Sequence, residues 1–409
     1  MSPTAHREST IKVYGYRWVV LLAFMFIAAM NQLLWITFAP ITSVAANFYG
    51  TSDLMIGLLS MMFMVVYIAL VLPSAWVIDT YGFRVAVGIG AVLTAVFALT
   101  RGIFASNFTL VFISQIGIAL GQPFVLGAIT KLAARWFPVE ERATAVGLGT
   151  LAIYLGILVS MLITPILMIK YSLPGMLVIY GIAAVVSAIV FLVLAKGKPE
   201  TPPCPPSHEE RSLMFDGLKS MLRQKDFILL LIIFFIGLGM FNGISTWIED
   251  IVHPRGFSIA QAGMLGGMML FGGILGAMTI PMLSDKLRKR KPFIILALIG
   301  LIPGLVGMTF ATNYWLLLVS GFVFGFFLLS SGPIGFQYGA EITYPASEGT
   351  SNSLLLVMGQ ISGIIFIFGM DLFKSVKTGA MTASLLVLLG LTILSVLLST
   401  LLKESPAPR

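Results

Sequence analysis

The chain has 409 residues, 58% of them hydrophobic and only 10% charged, with 25 Lys and Arg against 17 Asp and Glu. A mean hydropathy of +0.99 is too apolar for a soluble globule of this length and predicts a polytopic membrane protein. The single Cys204 excludes an internal disulfide framework, and the net charge of +8 reads as a topology signal, not as a nucleic-acid footprint.

Twelve apolar runs are long enough to cross a bilayer as helix, which takes about 20 residues. In chain order they fall at 17–39, 54–78, 84–104, 109–135, 141–168, 172–195, 226–249, 259–283, 292–312, 314–341, 347–371 and 378–402. The first follows Arg7, Lys12 and Arg17 with no small-residue cleavage site, so it reads as an uncleaved span. Within it, Asn31, Trp35 and Phe38 are spaced i, i+4, i+7 on one helical face. An amide in hydrocarbon is costly unless satisfied, so this face should point into the bundle or into a watery cavity. Small-residue spacings at Gly117–Gly121, Gly263–Gly267 and Gly272–Gly276 predict close helix approaches. Pro123 in the fourth run and Pro333 in the tenth predict kinks, since proline removes an i→i−4 hydrogen bond.

Residues 196–225, Pro-rich and then charged, are the only long polar stretch and divide the chain into 1–195 and 226–409. With the N-terminus inside, 20 of the 25 basic residues fall on inside segments, leaving Arg101, Lys170, Arg255, Lys374 and Lys377 on the other side. Basic residues near span ends are retained in the cytoplasm, so both termini are expected there, with the cell membrane as the expected location. The two parts also repeat. Shifting residues 50–84 onto 256–290 without a gap pairs Gly50 with Gly256, Ser52 with Ser258, Gly57 with Gly263, Asp79 with Asp285 and Arg84 with Arg290. Near the same offset, Pro138 pairs with Pro345, Glu141 with Glu348 and Gly156 with Gly363. Two six-span halves with both termini on one side must be related by an axis along the membrane normal.

The loop Ala75-Trp76-Val77-Ile78-Asp79-Thr80-Tyr81-Gly82-Phe83-Arg84 resembles the loop after the second span of the major facilitator superfamily, and Pro281–Arg290 resembles its counterpart in the second half. Ala75 and Thr80 depart from the pattern, leaving Asp79, Gly82 and Arg84. The resemblance implies an all-α membrane protein of twelve transmembrane helices in two six-helix halves. It also implies that Asp79, Gly82, Arg84, Asp285, Arg290, Glu341 and Glu348 belong to loop and gate motifs, with Asp79 facing the N-terminus of a neighbouring helix. The segment 340–355, with Asn31–Phe38 and 48–84, is similar to the feline leukaemia virus subgroup C receptor-related proteins, a family with members assigned to heme and to choline and ethanolamine.

In the superfamily the cavity is lined chiefly by spans one, four, seven and ten, and the polar inventory falls there. Asn31, Gln32, Trp35, Gln122, Tyr154, Asn242, Thr246, Gln337, Tyr338 and Gln360 are the expected substrate-binding residues. Resemblance to choline-transporting members marks Trp35 as a cage wall and Gln360 as a substrate contact. Asn242 and Tyr154 differ from the tyrosine and glutamine of those members, so choline does not simply transfer. An indole face can carry an ammonium without a countercharge.

No Asp, Glu, Lys, Arg or His falls at the middle of a predicted span, and Arg101, Glu249, Asp250 and Glu341 read as interfacial or gate charges. The expectation is therefore a facilitative carrier of a small neutral, zwitterionic or singly cationic organic solute, choline- or ethanolamine-like, working by alternating access as a monomer in the lipid bilayer. No cofactor, metal or nucleic acid is expected. Heme or another amphiphile is an alternative weakened by the lack of a midspan axial ligand. A non-transporting receptor of the same fold is another. An enzyme is not expected, because no paired carboxylates, metal cluster or activated nucleophile is visible.

Overall fold

The structure is a computed structural model that describes residues 13–201, 203, 221–344 and 348–405, with side chains from residue 351 onward in the last stretch. Among the described residues, eleven helices are long and apolar enough to cross a membrane. One of them, Val139–Leu194, runs for 56 residues. At 1.5 Å per residue this would be about 84 Å, far beyond a hydrocarbon core of about 30 Å. It is interrupted at Ser172, whose φ of 59° and ψ of 173° turn the chain back, so it supplies two spans and the total is twelve.

We number the spans in chain order. Span one is Arg17–Trp35, two Asp53–Tyr81, three Phe83–Ile103 and four Phe108–Leu126 with the short helix Ile129–Trp136. Spans five and six are the two parts of Val139–Leu194. Seven is Lys225–Thr246, eight Ile259–Leu287, nine Lys291–Phe310, ten Tyr314–Thr343, eleven Glu348–Leu372 and twelve Thr382–Thr400.

Two spans stop earlier than hydropathy suggests. Span one ends at Trp35 and continues as the 3-10 turn Ala39–Ile41 and the helix Thr42–Tyr49. Pro40 sits in the turn, and a proline there clashes with the carbonyl four residues back, at Ile36. Span seven ends at Thr246, and after Trp247 the short helix Ile248–Val252 begins. The two predicted proline kinks differ: Pro123 precedes the break in span four by one turn, whereas Pro333 lies inside an unbroken helix.

The internal repeat is visible as matched local structure. Ser52 and Ser258 each cap the following helix, accepting from the backbone N–H of Met55 and Gln261. Gly50 and Gly256 both take left-handed backbone, at φ 63° and 82°. After span two, Gly82 makes the turn at φ 85°; its repeat partner is Arg288, at φ 49°, where a side chain is strained.

All three predicted glycine pairs mark close approaches. A Cβ at Gly121 would fall 2.6 Å from the Gly90 carbonyl, and one at Gly276 would fall 1.8 Å from that of Phe326. Gly263 and Gly267 do the same between halves, where span eight meets Met161 and Leu162 of span five. Span eleven meets span two in a similar way, Gly363 against Met64. These two crossings form the main seam between the six-helix halves.

Candidate functional site

The sequence-marked polar side chains divide into those the protein already uses and those left free. In span one, Gln32 Nε2 donates to Asn31 Oδ1, and Asn31 Nδ2 donates 3.1 Å to Thr94 Oγ1 of span three. Trp35 Nε1 donates 3.0 Å to the Ser60 carbonyl of span two, and Ser60 Oγ returns a bond to the Trp35 carbonyl. The indole is thus fixed in orientation and 5% exposed. Asn242 of span seven donates to the Gly359 carbonyl, next to Gln360 in span eleven. Met64 lies one turn beyond Ser60, and a Cβ at Gly363 would meet both Met64 and Asn242. Trp35 and Asn242 are therefore connected through spans two and eleven.

Gln122 of span four, Tyr154 of span five and Gln360 of span eleven have no side-chain hydrogen bond recorded among the described residues, and none is fully buried. The hydroxyls of Ser245 and Thr246, buried where span seven breaks, also lack a partner there. Unsatisfied groups inside a membrane bundle need a water or a solute. This second set is what the arrangement offers chemically: amides, hydroxyls and a phenol whose polar atoms have no protein partner among the described residues.

Gln337 and Tyr338 do not join the set. Gln337 is exposed and donates 3.0 Å to Glu341, while the Tyr338 hydroxyl donates 2.8 Å to the Lys403 carbonyl. Span ten has 30 residues, about 45 Å, so its last turns rise past the hydrocarbon and place these two at its end.

The ends of the bundle hold the charges. At the end that gathers the starts of spans one and seven with the ends of six, ten and twelve, here called the terminal end, the ion pairs that Arg17, Lys131 and Arg290 make with described residues each stay within one half. Arg17 meets Glu141 at 3.0 Å, Asp79 meets Lys131 in the first turn of Ile129–Trp136 at 3.3 Å, and Arg290 meets Glu341 at 3.0 Å and also pairs with Asp285. Arg84 is exposed, Gly82 makes the turn before it, and the Glu348 side chain lies outside the described residues.

The opposite, distal end carries a network the sequence did not reveal. Glu249, fully buried, accepts from the Ser43 backbone N–H at 2.9 Å and from its hydroxyl at 2.6 Å, across the two halves. Ser43 lies in the first turn of Thr42–Tyr49, where free N–H groups favour a carboxylate. Lys374 Nζ lies 2.6 Å from Asp53 Oδ2 of the first half and also bonds Asp250 of its own half. Burial pushes the Asp250 carboxyl up to about 7 although Lys374 pulls it down; Asp53 and Glu249 add to the rise. Burial works against the Lys374 ammonium, but Asp250 and Asp53 outweigh it and hold its pKa above the ordinary lysine value. Beneath them the Trp247 ring packs on Gly57 of span two, where a Cβ would come within 2.7 Å, and its Nε1 donates to the Ile367 carbonyl.

Arg101 refines another expectation. Expected as an interfacial or gate charge, it does lie at the distal end of span three but is fully buried there, donating to Gln115 and to the Leu34 carbonyl at the close of span one, with Phe38 5.5 Å away. The one sequence signal for the distal network was the Glu249-Asp250 pair beside Trp247.

Comparison with known proteins agrees with this architecture. The Major Facilitator Superfamily model matches residues 20–367. The chain belongs to the Major Facilitator Superfamily. It is 30% identical over 380 residues to the rat choline/ethanolamine transporter FLVCR2, covering 88% of this chain and 69% of the relative. The Xenopus tropicalis solute carrier family 49 member A3 is also 30% identical, over 87% of this chain and 77% of its own length. Among solved structures, a bacterial homolog of the human lysosomal transporter Spinster superimposes with a TM-score of 0.72 at 16% identity, over 95% of this chain and 96% of that one. The nucleoside transporter NupG gives 0.72 at 13%, over 93% and 99%. This superfamily member is a membrane transporter.

Proposed function

We propose that the chain carries a small organic cation or zwitterion of the choline and ethanolamine class, by facilitated alternating access. The observation that supports this most is the fixed Trp35 indole, connected to Asn242 through spans two and eleven, with uncommitted groups at Gln122, Tyr154, Thr246 and Gln360. No Asp, Glu or Lys lies among them. An ammonium over an indole gains about 0.5–2 kcal/mol without a countercharge, and amides and hydroxyls suit the solute's own hydroxyl. The rat relative FLVCR2 is named a choline/ethanolamine transporter, which points the same way.

In this reading the terminal end is cytoplasmic, following the 20 basic residues on that side. Residues 1–195 and 226–409 rock as units tethered by 196–225, a monomer sufficing, in the cell membrane. Among the described residues, the side-chain bonds Ser43–Glu249 and Asp53–Lys374 cross between halves at the distal end, which supports a conformation closed to the outside. The test is binding on purified protein, by thermal shift, of choline, ethanolamine, hemin and a neutral sugar. Saturable stabilisation by a small cation that Trp35→Ala abolishes is expected. Stabilisation by hemin alone, equal in both proteins, refutes the reading.

A further inference from the structure

The distal end holds a half-open cavity of about 250 Å³ whose walls come from both halves: Ser43 and Asp53 from the first, Asp250, His253, Lys374 and Thr378 from the second. Glu249 lies behind Ser43, and Asp371 is close enough to act electrostatically on Lys374's surroundings. The Lys374 ammonium thus pairs with two carboxylates, Asp53 and Asp250, and acts on a third, Asp371, while Glu249 takes its donors from Ser43. Asp250 is 4% exposed; Lys374 holds its Oδ1, and its Oδ2 has no hydrogen-bond partner among the described residues. A buried carboxylate oxygen beside a cavity calls for a donor.

Lys374 displays which donor the cavity takes. Its Nζ sits between the Asp53 and Asp250 carboxylates and 6.0 Å from the centroid of the Trp247 ring. Two carboxylates and an indole face around an ammonium are the recognition chemistry of a primary amine. We infer that the distal cavity is a binding site for a primary alkylammonium, a place the Lys374 side chain fills while the distal end is shut. A solute amine that takes Asp250, whose Oδ2 is free, displaces Lys374 and with it the lysine's tie to Asp53, so occupancy and opening are linked. The N–H donors set the selectivity, because a quaternary ammonium can use the indole but cannot satisfy the carboxylate oxygens. The site shares no residue with the central one and does not depend on the reading of Trp35.

The experiment uses the full chain in a Trp35→Ala background, so that loss of the central site cannot decide the result. With Lys374→Ala added, ethylammonium chloride should raise the melting temperature saturably, while tetramethylammonium chloride at equal ionic strength should not. Adding Asp250→Asn should remove the rise, and Lys374→Met, whose chain fills the same space without charge, should show none. No ethylammonium effect in the Lys374→Ala protein, an equal effect of tetramethylammonium, or one that survives Asp250→Asn overturns the site. Should Lys374→Ala fail to fold, Lys374 is kept and Ser43→Cys is made with Cys204→Ser. Ethylammonium added from the distal side should then speed labelling by an impermeant maleimide, and an unchanged rate overturns the site.

Discussion

The two ends of this bundle use charge in opposite ways. At the terminal end Arg17–Glu141, Asp79–Lys131 and Arg290–Glu341 each tie together parts of one half, whereas at the distal end Ser43–Glu249 and Asp53–Lys374 tie one half to the other. Burial does not divide the ends in the same way: Glu249 is fully buried and Asp79 two-thirds exposed, but Glu341 at the terminal end is more buried than Asp53 at the distal one. Charges that bind across the seam decide which end is shut; charges within a half only support its shape.

Reversing a charge on the seam should break the distal end most severely. Lys374→Glu sets a carboxylate against Asp53 and Asp250, and losing one partner of a buried pair costs about 3–5 kcal/mol. Exchange of labelled solute in liposomes should fall by at least about tenfold, which corresponds to 1.4 kcal/mol. Unchanged exchange would show that the lock does not govern the cycle. Next comes Glu249→Gln, which weakens two charge-assisted bonds worth about 1.5–3 kcal/mol each and should raise alkylation of a cysteine introduced on the distal face in a Cys204→Ser background.

Protons should sharpen the comparison. Asp250 is faced by Asp53 from span two, Lys374 and Asp371 from the end of span eleven, and Glu249 and His253 on its own segment. Its pKa is raised to about 7 when shut in, and the ordinary value of about 3.8 returns when opening hydrates it. The shut form therefore binds the proton more tightly. Its proton-linked advantage is full below pH about 4 and is lost as pH rises through 7, at up to about 1.4 kcal/mol per unit. With Cys204→Ser and a cysteine introduced at Ser43, labelling relative to a free thiol at the same pH should fall from pH 8 to pH 5 and stay level when Asp250→Asn is added; a slope of the opposite sign refutes this account.

At the terminal end Arg17→Gln should cost only about 0–1 kcal/mol, seen as a small drop in melting temperature with no change in distal labelling. The smallest expected effect is Arg288→Gly, which relieves left-handed backbone at φ 49° and should stabilise by about 0.5 kcal/mol after glycine's entropy is counted. A loss of stability there would mean that the Arg288 side chain makes contacts worth more than the strain.

Much of the fold was legible in the sequence. Twelve spans and two halves follow from hydropathy, which acts over a few residues, and from a repeat that pairs Ser52 with Ser258, although that both serines cap helices came with the structure. The candidate site was legible only in part. Polarity marked Asn31, Trp35 and Asn242 together with Gln122 and Gln360, but could not tell that the first three already spend their donors on Thr94, Ser60 and Gly359. It also set Gln337 and Tyr338 in the cavity, because counting turns along a 30-residue helix does not locate the membrane's edge.

The sequence alone determined the solvent of the chain, its division into halves and the residue types available for a site, since burial of apolar surface and backbone hydrogen bonding in lipid leave few alternatives. Only the tertiary structure decided that Lys374 meets Asp53 across 321 positions, that Arg101 is sealed under span one, and which amides stay free. Those outcomes depend on how spans five with eight and two with eleven cross, and that geometry is set by packing between segments far apart in the chain.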